Sequence, residues 1–444
     1  MTSEKQIVSF APSDGLSYDT SDDLYWEEKA LGKEITRAFA LCHSCRMCFK
    51  YCDSFPTMFD AIDNHDDDAT KLTAVEIKNV ADACFQCKLC EVQCPYTPKE
   101  GHEFQLDFPK LMHRYQAINL KARRKTLREL ILTNITSLGV LARSSLGLAN
   151  LMNRFPPHRW ILEKVAGIHR KKLLPDFASR TFEKTAIRNQ WIKADTDVEV
   201  VIFQTCYVDN NEPDIGKDLV EVLEHNQVKY TCLQGLKCCG MPAWEIGDLD
   251  TLRANAHHNL NLMLPYVEKG AKVIPINPTC SMMMRREYTD LLEGGDKQRA
   301  QKLSDAITEP SHFLWSIRKE ERFNTDFKSS PGEVISYHVS CHLRALGIGF
   351  RGRELMKQLP DVTVKPVMEC CGHNGTYAMK KETFEDSGRI GQKAFDGMKE
   401  AGGDTWATDC PLAAVQFKQF AGTKPLHPIT ILAKCYRGEP FQKD

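Results

Sequence analysis

The tripeptide Cys-Cys-Gly occurs twice, as "KCCGMP" at Cys238 and Cys239 and as "ECCGHNG" at Cys370 and Cys371, each time with the same kind of neighbours. Before the first copy, the β-branched run "VEVVIFQTC" reads as a strand ending at Cys206. The helical "PDIGKDLVEVLEHNQ" and a second short strand, "VKYTCL", follow it. After the turn, the helical stretch "DLDTLRANAHHNLNLMLPYVEKG" closes on Gly270, and "AKVIPINPTC" returns as a strand ending at Cys280. From Gly332 the order repeats: "EVISYHVSC" to Cys341, helical "GRELMKQLP", strand "DVTVKPV", the turn, a helix through "FEDSGRIGQKAFDGMKEAG", and "DTWATDC" to Cys410. That recurrence is an internal duplication of an α/β unit.

Adjacent cysteines are poor partners for each other in a disulfide, because the bridge needs converging Cβ vectors. In open α/β sheets the crevice lies beyond the carboxyl ends of the strands. One half therefore gathers Cys206, Cys238, Cys239 and Cys280, and the other gathers Cys341, Cys370, Cys371 and Cys410. Gly240 and Gly372 let the backbone bend there without a side-chain clash. Four thiolates at one point suit an iron-sulfur cluster or a zinc ion. Cys232 and Cys435 fall outside both sets and read as core.

The other eight of the 18 cysteines lie in "CHSCRMCFKYC" (42–52) and "CFQCKLCEVQCP" (84–95), which repeat the spacing C-x2-C-x2-C-x3-C. In two-cluster ferredoxins the fourth cysteine of such a run crosses to the other cluster. Cys42, Cys45, Cys48 and Cys94 would then hold one 4Fe-4S cluster, and Cys84, Cys87, Cys90 and Cys52 the second. Asp53 stands where the first run would end in proline, which leaves the ligands intact. Structural zinc would favour separated C-x2-C pairs. The insert "TAVEIKNVADAC" points to a helical ferredoxin.

The leading "MTSEKQIVSFAPSDGLSYDT" lacks the charged-then-apolar pattern of a secretory signal, so metal-bound thiolates in a reducing, cytoplasmic setting are expected. With 58 Lys plus Arg against 59 Asp plus Glu, the charge gives no reason to expect a nucleic acid partner. No run is apolar enough to span a bilayer; Leu130 to Met152 comes nearest and is interrupted by Asn134 and Arg143. Within the connector 121–175, Leu127, Leu130, Ile131, Ile135, Leu138 and Leu141 recur at helical spacing beside the basic "KARRKTLR". Such a helix covers a core, meets a partner protein or rests on the inner face of an anionic membrane.

The expected organisation is an N-terminal extension (1–33), an α-helical two-cluster ferredoxin domain (34–115), a helical connector (116–195) and two duplicated α/β domains (196–325 and 326–444), a multidomain α+β and α/β chain. A ferredoxin pair followed by two Cys-Cys-Gly domains resembles the heterodisulfide-reductase-related CCG-domain iron-sulfur proteins. "ECCGHNGTYAMKKETFEDSG" is most similar to the C subunit of anaerobic glycerol-3-phosphate dehydrogenase and to rubrerythrin-associated iron-sulfur oxidoreductases. The resemblance implies an electron-transfer subunit between a flavoprotein or rubrerythrin-like partner and an acceptor such as quinone. Its alternative is a thiol/disulfide reductase acting at a CCG metal site. In the reductase version each CCG domain ends in C-x-x-C and a fifth cysteine joins a noncubane cluster; here Met283 and Ala413 stand at those positions. His338, His342 and His373 lie beside the second set, as hydrogen-bonded structural residues or as groups that tune its potential.

Overall fold

Two parallel, three-stranded sheets carry the duplicated part of the chain. The computed structural model describes residues 8–193 and 195–441; the first seven residues of the expected N-terminal extension lie outside that set. Strands β1 (Val200–Phe203), β2 (Tyr230–Cys232) and β3 (Lys272–Pro275) assemble in the order β2-β1-β3. Strands β4 (Val334–His338), β5 (Thr363–Val367) and β6 (Thr405–Thr408) repeat it as β5-β4-β6. Val201 pairs with Thr231 and Val273 across the first centre, and Tyr337 with Pro366 and Ala407 across the second. Every residue of β1 is buried, which explains its unbroken β-branched run. Pro366 is tolerated because β5 is an edge.

Parallel strands need crossovers, supplied here by helices Pro213–His225 and Leu249–Val267 in the first half and by Arg351–Met356 and Phe384–Glu400 in the second. With the order 2-1-3, the chain switches direction between β1 and β3 and again between β4 and β6. Those are the strands that lead to Cys206, Cys280, Cys341 and Cys410. The cysteines do not end the strands, as the sequence suggested. They follow by three, five, three and two residues, at the starts of short helices: Cys206–Asn210, Pro278–Met282, Cys341–Leu346 and Pro411–Ala421.

The two halves share one core. Leu219 and Leu223 pack with Ile335, Leu355, Ile431 and Cys435, so the C-terminal helix Pro428–Arg437 closes over the first half. Each such aliphatic side chain contributes about 1.5–3 kcal/mol on burial. Cys232 and Cys435 are buried in this core.

The chain divides into two compact units: one runs to Lys125 and takes in Ala243–Leu249, and the other holds Thr126–Pro242 with the chain from Asp250 onward. The first contains helices Glu28–Cys45, Ser54–Asp63, Ala74–Asp82, Leu89–Gln93 and Phe108–Lys121, and among its described residues no strand. Phe39, Phe55, Met58, Phe108 and Leu111 form its interior, with the Phe55 and Phe108 rings 4.7 Å apart. Fully buried Arg114 donates to the carbonyls of Gly15, Ser17 and Tyr25 and so fastens the preceding segment.

Candidate metal centres

In the first unit, left-handed residues wind the cysteine runs around fixed points. Helix Glu28–Cys45 stops where Arg46 takes φ 51°, its N–H returning to the Cys42 carbonyl at 2.8 Å. Gln86 (φ 53°) and Lys88 (φ 61°) do the same within the second run. Cys42, Cys45, Cys48 and Cys94 line one small cavity with Phe55, Phe59 and Tyr96. Burial and then the sulfurs of Cys48, Cys94 and Cys45 hold the Cys42 thiol well above its ordinary pKa, and burial followed by Cys94 and Cys45 pushes Cys48 up to about 12. Cys90 is raised by burial and then by Cys87, Cys84 and Cys52. Two groups of sulfurs therefore sit close enough to oppose one another's ionisation, a cost that a bound cation reverses.

In the second unit, all eight remaining pattern cysteines reach one chamber of about 570 Å³, roofed by Ile131, Ile135, Leu138 and Leu162 of the connector. Both turns use the same device. The Gly240 N–H points at the Cys238 sulfur (3.5 Å) and the Gly372 N–H at the Cys370 sulfur (3.4 Å), with φ of +92° and +72°. A Cβ on Gly372 would stand 2.0 Å from the Ser387 carbonyl oxygen, and one on Gly240 would stand 2.1 Å from Leu252 Cδ1. The Cys206 thiol donates to Cys238 across 3.7 Å, which leaves Cys238 the more acidic of the two. Burial pushes Cys410 up to about 11 and, with Cys370 and Cys410 nearby, raises Cys371 further. Cys280 lies within electrostatic range of Cys410, and Thr279 Oγ1 meets His342 Nδ1 at 2.9 Å, so the two sets adjoin.

Each donor set of four thiols fits a thiolate-bound iron-sulfur group or a zinc ion. A tetrahedral zinc at about 2.3 Å from each sulfur would draw all four to about 3.8 Å from one another. Among the described residues no three cysteine sulfurs lie within 4.8 Å of each other. The wall also keeps unused polarity: the buried Ser340 Oγ and both ring nitrogens of buried His373 make no hydrogen bond of normal geometry. His338, by contrast, is tied to Thr408 Oγ1 and the Glu369 carbonyl, both at 3.1 Å, a structural residue kept neutral by burial, which lowers its pKa to about 4. Met283 and Ala413 are buried, and neither supplies a fifth thiolate.

The surroundings of the two turns differ, and sequence reading missed the residues responsible. Behind the first, Tyr288 donates its hydroxyl to the Cys239 carbonyl at 3.1 Å, and Asn259 bonds both polar groups of the Lys237 backbone. Behind the second lies Lys172, 2% exposed, with Nζ on Gln416 Oε1 at 2.7 Å. Gln416 Nε2 meets Ser387 Oγ at 2.7 Å, and that hydroxyl donates to the Gly372 carbonyl at 2.8 Å. "HRKKLL" carries no signal that one of its lysines is internal.

The connector is not one helix. Asn134 (φ −107°, ψ 45°) divides it into Leu127–Thr133 and Ile135–Ser144, and Leu148–Arg154 and Pro156–Ala166 follow. Gly139 is required at its position, since a Cβ would meet Asn210 Oδ1 at 2.3 Å; that amide also donates to the Cys206 carbonyl. One face lines the chamber, while Val140, Leu146, Leu151, Trp160 and Val165 are exposed, Leu146 almost completely at 96%. No helix among the described residues is long and apolar enough to cross a membrane.

The cysteine-rich domain family, CCG, matches residues 200–285 and 335–418, one copy for each sheet. The C subunit of anaerobic glycerol-3-phosphate dehydrogenase from Escherichia coli (strain K12) is 30% identical over 314 residues, which is 70% of this chain and 78% of that protein. Lactate utilization protein A 2 of Bacillus cereus (strain AH820) is 28% identical over 196 residues, 43% of this chain and 78% of its own length. The duplicated sheets, the paired turns and this extent of similarity agree: the chain belongs to the CCG-domain family that includes the C subunit of anaerobic glycerol-3-phosphate dehydrogenase.

Proposed function

We propose that this chain is an iron-sulfur electron-transfer subunit of an oxidoreductase complex. It takes electrons from a partner flavoprotein and hands them to an acceptor such as quinone. In this reading Cys42, Cys45, Cys48 and Cys94 hold one 4Fe-4S cluster, Cys84, Cys87, Cys90 and Cys52 hold a second, and each CCG set holds a further thiolate-bound iron-sulfur centre. Such clusters supply one-electron storage whose potential follows burial, net charge and hydrogen bonding to sulfur. The observation that carries the reading is the convergence of eight cysteines from two duplicated sheets on one largely apolar chamber. There the Gly240 and Gly372 N–H groups donate to sulfur, and the connector leucines supply an apolar wall.

The exposed Val140, Leu146, Leu151, Trp160 and Val165, with Arg154 and Lys164 among them, support peripheral binding to an anionic lipid surface, where apolar side chains enter the interface and cations meet headgroups. Buried Met283 and Ala413 count against disulfide reduction at a five-thiolate centre.

Iron and acid-labile sulfide, counted in anaerobically purified protein together with electron paramagnetic resonance, test this assignment. About eight iron atoms per chain would confine clusters to the first unit and defeat the CCG part; a distinctly larger count carries it. Reduction by a flavoprotein donor, with no disulfide-reductase turnover, is expected. Flotation with anionic but not neutral vesicles checks the lipid surface.

A further inference from the structure

Lysine is almost never fully buried unless it is paired. Lys172 is 2% exposed, yet among the described residues its Nζ rests on a neutral amide, Gln416 Oε1, rather than a carboxylate. An ammonium taken out of water costs several kcal/mol unless an opposite charge lies close by. Through Gln416 and the Ser387 hydroxyl that ammonium is linked to the Gly372 carbonyl, one residue after Cys371, so the opposite charge nearest to hand is that of a centre held by the second CCG turn.

Its position is held from several sides. Ile168 bridges antiparallel to Lys380, and the His169 N–H reaches the Met379 carbonyl at 2.8 Å. The His169 ring stacks on Phe384 at 4.0 Å, and Gln419 takes the Leu173 N–H while donating to the Lys171 carbonyl. The backbone on both sides of Lys172 is thus clamped to the second CCG half, and the side chain points inward. Beside Cys370 the cation Arg344, which donates to the Met368 carbonyl at 2.5 Å, is opposed by the Glu369 carboxylate, so Lys172 is the buried cation without a facing carboxylate there. The first half differs: its turn is braced by neutral Tyr288 and Asn259, and the groups acting most on Cys206 and Cys239 are the neighbouring cysteines and burial.

We propose that Lys172 is the built-in countercharge of the second CCG site and raises the potential of the centre held there. This rests on the reading that iron-sulfur clusters occupy both CCG sets. Reduction adds one negative charge to a centre, a fixed cation nearby stabilises the reduced state, and the potential rises. Lys172 is a positioning and tuning residue: it acts through the centre and touches no substrate.

Full-length wild-type, Lys172→Met, Lys172→Gln and Lys172→Arg proteins, reconstituted anaerobically, are compared by iron count and by redox titration followed with electron paramagnetic resonance. In both neutral variants one centre is expected to show at least a tenfold higher oxidised-to-reduced ratio at fixed poise, equal to a shift of about 59 mV for a one-electron couple. The remaining centres keep their midpoints, and the arginine variant stays near wild type. Loss of one centre's iron from both neutral variants, with full iron in the arginine variant, also supports the countercharge. Unchanged midpoints at full iron content overturn the proposal, as does an arginine variant that fails alongside the neutral ones. Wild-type protein with only about eight iron atoms instead overturns the cluster assignment on which the proposal rests.

Discussion

The two CCG halves keep the same strand order, the same order of cysteines along the chain and the same glycine N–H to sulfur contact, yet they differ in what stands behind each turn. The first is backed by a tyrosine hydroxyl and an asparagine, the second by a lysine, a glutamine and a serine in series. Duplication preserved the groups that hold sulfur in place and left free the groups that set its electrical surroundings. One scaffold can in this way give two like sets of cysteines different electrical surroundings.

The hardest break of the comparison is to remove one ligand at a time. Cys371→Ser is expected to release about four iron atoms and one paramagnetic signal, and Cys239→Ser a different signal, as read by iron assay and spectroscopy. If either variant empties both halves, the stations assemble as one and the comparison falls.

The glycines give the next largest effect. Gly372→Ala forces a Cβ against the fixed Ser387 carbonyl as well as a positive φ, and should cost about 3 kcal/mol or more. Gly240→Ala meets the movable tip of Leu252 and should cost about 1–2 kcal/mol. Urea unfolding of the two variants side by side ranks them; the reverse order would refute the steric account.

Tyr288→Phe removes the bond to the Cys239 carbonyl and should cost about 1 kcal/mol while altering only the first half's signal. A change in the second half's signal would show that the braces are not separate.

The smallest effect comes from the Glu163–Arg170 pair, which shapes the stretch leading into Lys172. The Arg170 guanidinium and N–H hold the Glu163 carboxyl down at about 2. A depressed acid lends stability above its unfolded value near 4.5, and that stability drains away as pH falls toward 2. Glu163→Gln should therefore flatten the acid limb of a thermal melt series below about pH 4.5 and lower Tm at neutral pH by no more than a few degrees.

The ligand frame was legible in the sequence because cysteine spacing and repetition report directly on which sulfurs can meet. Cys42, Cys45, Cys48 and Cys94 indeed line one cavity, and the eight later cysteines share one chamber. The strand ends were placed too late, since polar residues such as Gln204 and Thr205 continue a β-like pattern after the ladder has stopped. The connector looked like a single amphipathic helix because its leucines keep helical spacing through Asn134, whose own backbone breaks the run. Lys172 and Tyr288 were invisible: a lysine in a basic run reads as solvated, and only tertiary packing turned it inward.

Pro366 sits on the outer strand of the second sheet, paired to β4 on one side. Lacking an N–H, it interrupts the ladder that an incoming strand from another copy would need. The folded sheet is thereby guarded, at that edge, against growing into insoluble polymers.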